Sequence, residues 1–259
     1  MDNLLLKLVV TPALIGTATL VGRRWGQSVG GWLVGLPLTT GPVAFFIALD
    51  HGAAFAVGAV VGSLVGAVAE VAFSVAYSQV ATRGGWPVCL LAGSAAYAAA
   101  AAVLQGLRLG PLVLFGLVVA SLIVSLRMVP AATAGAHGTA APRWDLPARM
   151  ILATAVVLVL TALAPWLGAR LSGLLATYPL FAAILTAFGH RLQGAGAAFG
   201  VLRGLLFGLF AFAAFCLVLA LGLVPLGIAG AFASAIAVAL LVQGLSLWGL
   251  RSSSMLGSA

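Results

Sequence analysis

The sequence predicts an all-α polytopic membrane protein of about nine transmembrane helices, and three observations predict it. Of 259 residues, 63% are hydrophobic and 6% charged, at a mean hydropathy of +1.24. The apolar residues fall in stretches of the ~20 that a helix needs to cross the hydrocarbon core. Part of the first half also recurs in the second half, 142 residues further on. Twelve basic and four acidic residues cannot cover a water-soluble surface, since a soluble chain carries charge on roughly a quarter of its residues. A soluble enzyme, a nucleic-acid-binding domain and a disordered chain are therefore excluded. The net charge of +8 and the pI near 11.1 belong to membrane topology, because the basic residues punctuate apolar stretches.

Nine candidate spans follow in order: 4–22, 28–49, 53–80, 86–106, 110–128, 148–168, 171–190, 194–221 and 224–249. A β-barrel would need short segments alternating apolar and polar residues, and runs such as ATAVVLVLTAL do not alternate. The N-terminus MDNLLLKLVV lacks the basic n-region of a cleaved signal peptide and reads as the start of a retained first span. Cys89 and Cys216 form no CxxC pair and suit no haem or zinc spacing. The longest polar connection, 129–145, reads as a linker between two halves.

Orientation follows from Lys and Arg. Arg23, Arg24, Arg83, Arg127, Arg143, Arg149, Arg191 and Arg251 fall on one side, against Lys7, Arg108 and Arg170 on the other. The excess marks the first side as cytoplasmic. The expectation is a multi-pass protein of the cell inner membrane, with its N-terminus outside and its C-terminus in the cytoplasm.

Residues 3–73 align without a gap on 145–215, with 19 identities in 71 pairs. These include Gly26/Gly168, Gly31/Gly173, Pro37/Pro179, Gly52/Gly194, Gly58/Gly200, Gly62/Gly204, Gly66/Gly208 and Phe73/Phe215. After a four-residue deletion, Pro87 meets Pro225 and Gln105 meets Gln243. Shared composition alone gives fewer matches and no common register. Spans 1–4 thus repeat as spans 6–9 about a lone span 5. Four spans plus one is an odd number, so the second copy enters the membrane from the opposite face, as in many secondary transporters. The expected organisation is a first repeat over 1–107, a linker span and loop over 108–145, an inverted repeat over 146–249 and a tail over 250–259. In architecture alone, the 4+1+4 plan is similar to drug/metabolite-type transporters. Its paired interrupted helices are similar to the bile-acid and sodium–proton antiporter folds.

The candidate site residues lie at interruptions of spans 2 and 7. Span 2 contains Pro37-Leu38-Thr39-Thr40-Gly41-Pro42. Pro42 lacks an N–H and would clash with the Leu38 carbonyl of a continuous helix. Span 7 carries Ala176-Thr177-Tyr178-Pro179 at the corresponding place. Proline kinks are common in membrane helices, but paired interruptions in two halves point to a substrate site. Half-helix N-termini there would attract anions, and Thr39, Thr40, Thr177 and Tyr178 would hydrogen-bond a small polar solute. Trp32 would supply either an aromatic wall or a lipid-facing belt residue.

Gly58, Gly62 and Gly66 recur every four residues, as do Gly200, Gly204 and Gly208, which predicts close helix packing. Glu70 continues the first stripe and is the one carboxylate deep in a span, so it is the candidate proton-coupling residue. Arg203, at a similar inferred depth in span 8, is the candidate partner of Glu70 or of an anionic substrate; the competing reading is an arginine that snorkels to the headgroups. His51 and His190 read as interfacial. No catalytic set, metal cluster or cofactor motif is present in the sequence, so the expectation is a non-enzyme whose partners are membrane lipid and a small-molecule solute, not nucleic acid. The function expected is secondary transport of a small polar, anionic or zwitterionic solute by alternating access, coupled to protons. A membrane-embedded enzyme or lipid flippase and a non-transporting scaffold subunit are the alternatives.

Overall fold

The structure is a computed structural model that describes residues 2–38, 40–107, 109–131, 142, 144–176 and 178–256. It is 87% helical, with no strand among the described residues. Among the described residues ten helices follow one another: α1 (Asp2–Trp25), α2 (Gln27–Val34), α3 (Thr40–His51), α4 (Ala53–Val80), α5 (Trp86–Gln105), α6 (Pro111–Met128), α7 (Asp145–Ala176), α8 (Leu180–Gln193), α9 (Ala195–Gly222) and α10 (Gly227–Leu256). Five of them are long and apolar enough to cross a membrane: α4, α5, α6, α9 and Gly227–Trp248 of α10. Side chains such as Leu91, Leu240, Leu241 and Trp248 stay exposed on them, as expected where lipid is the outer solvent.

Most predicted spans coincide with single helices, and two differences are informative. The segment 28–49 divides into α2 and α3. The segments 148–168 and 171–190 are not separated where expected: α7 runs helical through Gly168 and Arg170 to Ala176. A single glycine costs a helix only about 1 kcal/mol, and no proline follows it until Pro179. Most of the 129–145 linker, including His137 and Arg143, lies outside the described residues, as does Arg108.

Helix α9 is the centre of the molecule. In its most apolar stretch 72% of residues are buried, against 22–44% in the other four long helices. It packs on α2, α4, α6, α8 and α10, while α4 also packs on α3, α5 and α6. Both α4 and α9 are 28 residues long, and both follow a glycine at φ +85°, Gly52 and Gly194. An L-residue rarely adopts that conformation, so glycine is what lets the chain reverse there.

The two glycine stripes differ over part of their length: Gly66 of the first is buried, as the expectation of close packing has it, while Gly58 and Gly62 are not. On α9, a Cβ at Gly204 would overlap the Ser28 carbonyl of α2, and one at Gly208 would lie 2.8 Å from the Gly35 Cα. On α4, Gly58 and Gly62 are exposed, and a Cβ there would meet nothing within 4 Å. Small residues permit close approach; whether a helix arrives depends on what lies opposite.

One buried ion cluster ties the end of α1 to the start of α7. The Asp145 carboxylate accepts from Arg149 Nε at 2.8 Å and from Arg23 Nη2 at 2.8 Å. Asp145 is fully buried and the Arg149 side chain is 2% exposed. The Arg149 guanidinium also lies 5.0 Å from the centre of the Phe188 ring of α8.

Candidate functional site

The interruption in the first half lies one step earlier than predicted. Helix α2 ends at Val34 and α3 starts at Thr40, so Gly41 and Pro42 are already inside α3. Pro42 therefore sits in a first helical turn, where a missing N–H is harmless. The break is made by Pro37, which disfavours helical geometry at Leu36. A tight i to i−2 bond bridges it, Leu38 N–H donating to the Leu36 carbonyl at 2.8 Å, and Gly41 N–H to the Pro37 carbonyl at 2.9 Å resumes the helical pattern. The second break falls where predicted, between α7 and α8. Pro179 caps α8 and Leu180 N–H donates to the Tyr178 carbonyl at 2.7 Å. Thr39 and Thr177 lie outside the described residues.

Each break rests on a long helix of the other half. At the first, a Cβ on Gly35 would come 2.7 Å from the Gly208 Cα of α9, and one on Gly41 would lie 3.5 Å from the Phe215 ring. Phe215 in turn packs edge-on against Phe232 of α10, and Phe232 against Phe45 of α3. At the second break, Tyr178 enters an aromatic box of α4 and α5. Its ring is 6.0 Å from Phe73 and 5.4 Å from Tyr97, both near perpendicular. Its hydroxyl shares a 2.8 Å hydrogen bond with Ser94 Oγ. One turn further along α4, the Tyr77 hydroxyl lies 3.2 Å from His190 Nδ1 of α8.

Glu70 lies one turn before Phe73, partly buried, on the α4 face that packs against α9. The Ser74 hydroxyl donates to the Glu70 main-chain carbonyl at 2.9 Å. Among the described residues the ion pairs are those of Asp145, so Glu70 and Arg203 do not form one.

Their separation has a geometric reason. Arg203 Nη1 donates to the Leu126 and Val129 carbonyls at 2.9 and 2.8 Å. Gln79 Nε2 donates to the neighbouring Met128 carbonyl at 3.2 Å. Arg203 thus lies level with Gln79, nine residues along α4 from Glu70, or ~13 Å at the helical rise. It caps the C-terminus of α6, whose last carbonyls have no intrahelical partner and favour a cation. Trp32 has a protein partner too: its indole N–H donates to Ser246 Oγ at 3.0 Å, and its carbonyl accepts from Gln243 Nε2 at 3.2 Å.

The sequence reading missed Phe73, Ser94 and Tyr97 as neighbours of Tyr178. Phe73 carried a signal, since it pairs with Phe215 in the repeat. Ser94 and Tyr97 are the hydroxyl residues of an Ala-rich helix, at the i, i+3 spacing that places them on one face. Tyr178→Phe keeps the ring and removes the bond to Ser94. It is expected to lower stability by ~0.5–1.5 kcal/mol, read as the thermal midpoint in detergent. Adding Ser94→Ala should then cost no more, because both changes remove one interaction; additive losses would mean the bond does not form. No family model, curated protein or solved structure matches the chain.

Proposed function

We propose that this chain is a secondary transporter of a small anionic or zwitterionic solute, working by alternating access on inverted repeats over 1–107 and 146–249. The observation that carries the reading is the pair of broken helices at corresponding positions, Pro37 and Pro179, each seated on the long helix of the other half. Several further correspondences support the repeat. Helices α4 and α9 have the same length and begin 142 residues apart. Helix α6 packs on both of them, and α5 on α8 is matched by α10 on α3. Phe73 meets the second break as Phe215 meets the first. An odd linker span then makes the repeats inverted, with the N-terminus outside the inner membrane and the C-terminus in the cytoplasm.

The chemistry on offer at the breaks is electrostatic. In the first turn of α3 the Gly41 N–H is taken by the Pro37 carbonyl and Pro42 has none, so the first turn of α8, beyond the bonded Leu180 N–H, is the stronger attractor of a negative group, and Tyr178 and Thr40 add hydroxyls. Arg203 is committed to the α6 carbonyls, so the half-helix ends, rather than a guanidinium, are the anion-binding elements. Glu70 is the coupling group: a carboxyl inside a span, without a basic partner among the described residues, is most stable when protonated.

Uptake by proteoliposomes from a panel of small acids and amino acids, with and without a pH gradient, tests this. Accumulation driven by the gradient is expected for one class of solute. Glu70→Gln should abolish that accumulation while solute exchange across the membrane persists. Gradient-driven accumulation by Glu70→Gln at the original level would remove the proton role, and absence of uptake across the panel would remove the transport reading.

A further inference from the structure

We propose that residues 169–176, the end of α7, dock in the groove between α4, α5 and α6 in the second state of the transport cycle, hinged at Gly168. The proposal rests on the alternating-access reading above. Its starting point is how α2 is held. The Gly31 backbone lies directly on the Val201 backbone, and Gly204 lies directly on Ser28. Gly35 meets Gly208, and Gln243 of α10 fastens the Trp32 carbonyl at 3.2 Å.

Every element of that seat has a counterpart in the first half. Val201, Gly204 and Gly208 correspond to Ala59, Gly62 and Gly66 at the 142-residue offset, and Gln243 corresponds to Gln105 after the deletion. All four of these residues line one groove of about 400 Å³. The groove is open at Gly62, where a Cβ meets nothing within 4 Å, and deepens to the buried Gly66. A seat built like that of α2, down to the polar side chain that fastens a carbonyl, is therefore empty.

Its occupant is identified by the same register. The counterpart of α2 is 169–176, which keeps Gly173 where α2 has Gly31. In the first half the chain turns at Gly26, φ +98°, and folds α2 back onto α1 and α9. At Gly168, the counterpart of Gly26, α7 instead stays helical. Bending there as at Gly26 brings Gly173 onto Ala59 and the Leu174 carbonyl to Gln105. One seat is filled and one empty; exchanging them interconverts the two halves, which is what an inverted repeat needs in order to open to opposite sides.

The test uses the full chain in proteoliposomes, with Cys89 and Cys216 replaced by alanine. One variant carries Val34→Cys with Val201→Cys, the other Ala59→Cys with Ala176→Cys. A short thiol cross-linker is applied under pH gradients of either direction. Reciprocal yields are expected, the second pair joining under the gradient that releases the first. Gly62→Leu, which fills the groove, should reduce uptake about tenfold or more while the first pair cross-links under both gradients. Uptake that proceeds with no cross-link of the second pair under either gradient overturns the docking, as does uptake by Gly62→Leu at the original rate, the result expected of a groove that holds only a lipid chain. The transport reading fails separately: with no uptake at all, reciprocal cross-linking would still establish the exchange of seats.

Discussion

Arg149→Ala is expected to cost ~3–5 kcal/mol, the range for breaking a buried ion pair by removing one partner. Asp145 would be left fully buried with Arg23 alone, whose side chain is 32% exposed. Arg23→Ala should cost far less, on the order of 1 kcal/mol, because its partly solvated charge is screened and Arg149 still neutralises the carboxylate. The contrast is what identifies the mechanism. Thermal unfolding of both variants in the same detergent should rank them in this order, and equal losses would mean that Arg149 acts through packing on Phe188 and not through its charge.

Gly204→Ala is expected to be strongly destabilising. Its Cβ would fall on the Ser28 carbonyl and 2.7 Å from the Trp32 nitrogen. Both are backbone atoms of α2, so no rotamer change relieves the clash and the helix itself must retreat. The cost should reach or pass the upper end of the ~1–3 kcal/mol usual for overpacking. The same substitution at Gly116 of α6 meets nothing within 4 Å. There alanine should stabilise the helix, by up to ~1 kcal/mol. Opposite signs in detergent melts would establish that the α2–α9 contact is backbone to backbone, and a neutral Gly204→Ala would refute it.

What the sequence made legible was whatever depends on local pattern. Apolar length located the long helices, and Gly52 and Gly194 marked the starts of α4 and α9. Pro179 located the second break to the residue. The first break was displaced because two prolines, Pro37 and Pro42, compete for it, and only the helix start at Thr40 decides that Pro42 is harmless. What stayed illegible depends on partners distant in sequence. Arg203 reads as a mate for Glu70 when depth is taken from the ends of the apolar stretches; its actual partners are the Leu126 and Val129 carbonyls at the end of α6, which carry no signal in the side-chain sequence. Arg149 was counted as a loop charge, although Asp145 and Arg149 stand at the i, i+4 spacing of a helical ion pair. Gly62 and Gly204 are identical in their own context and differ only in what faces them.

The cap on α6 also has a consequence for how the chain is made. Helix α6 is complete when Met128 has been synthesised, and Gln79 is already present to bind its last turn. The Leu126 and Val129 carbonyls, however, wait for Arg203, which is 77 and 74 residues further along the chain. Until then the end of α6 must be served by water or lipid headgroups. Assembly of the first half is thus finished only by the insertion of α9, which exchanges solvent at the end of α6 for a guanidinium supplied by the second half.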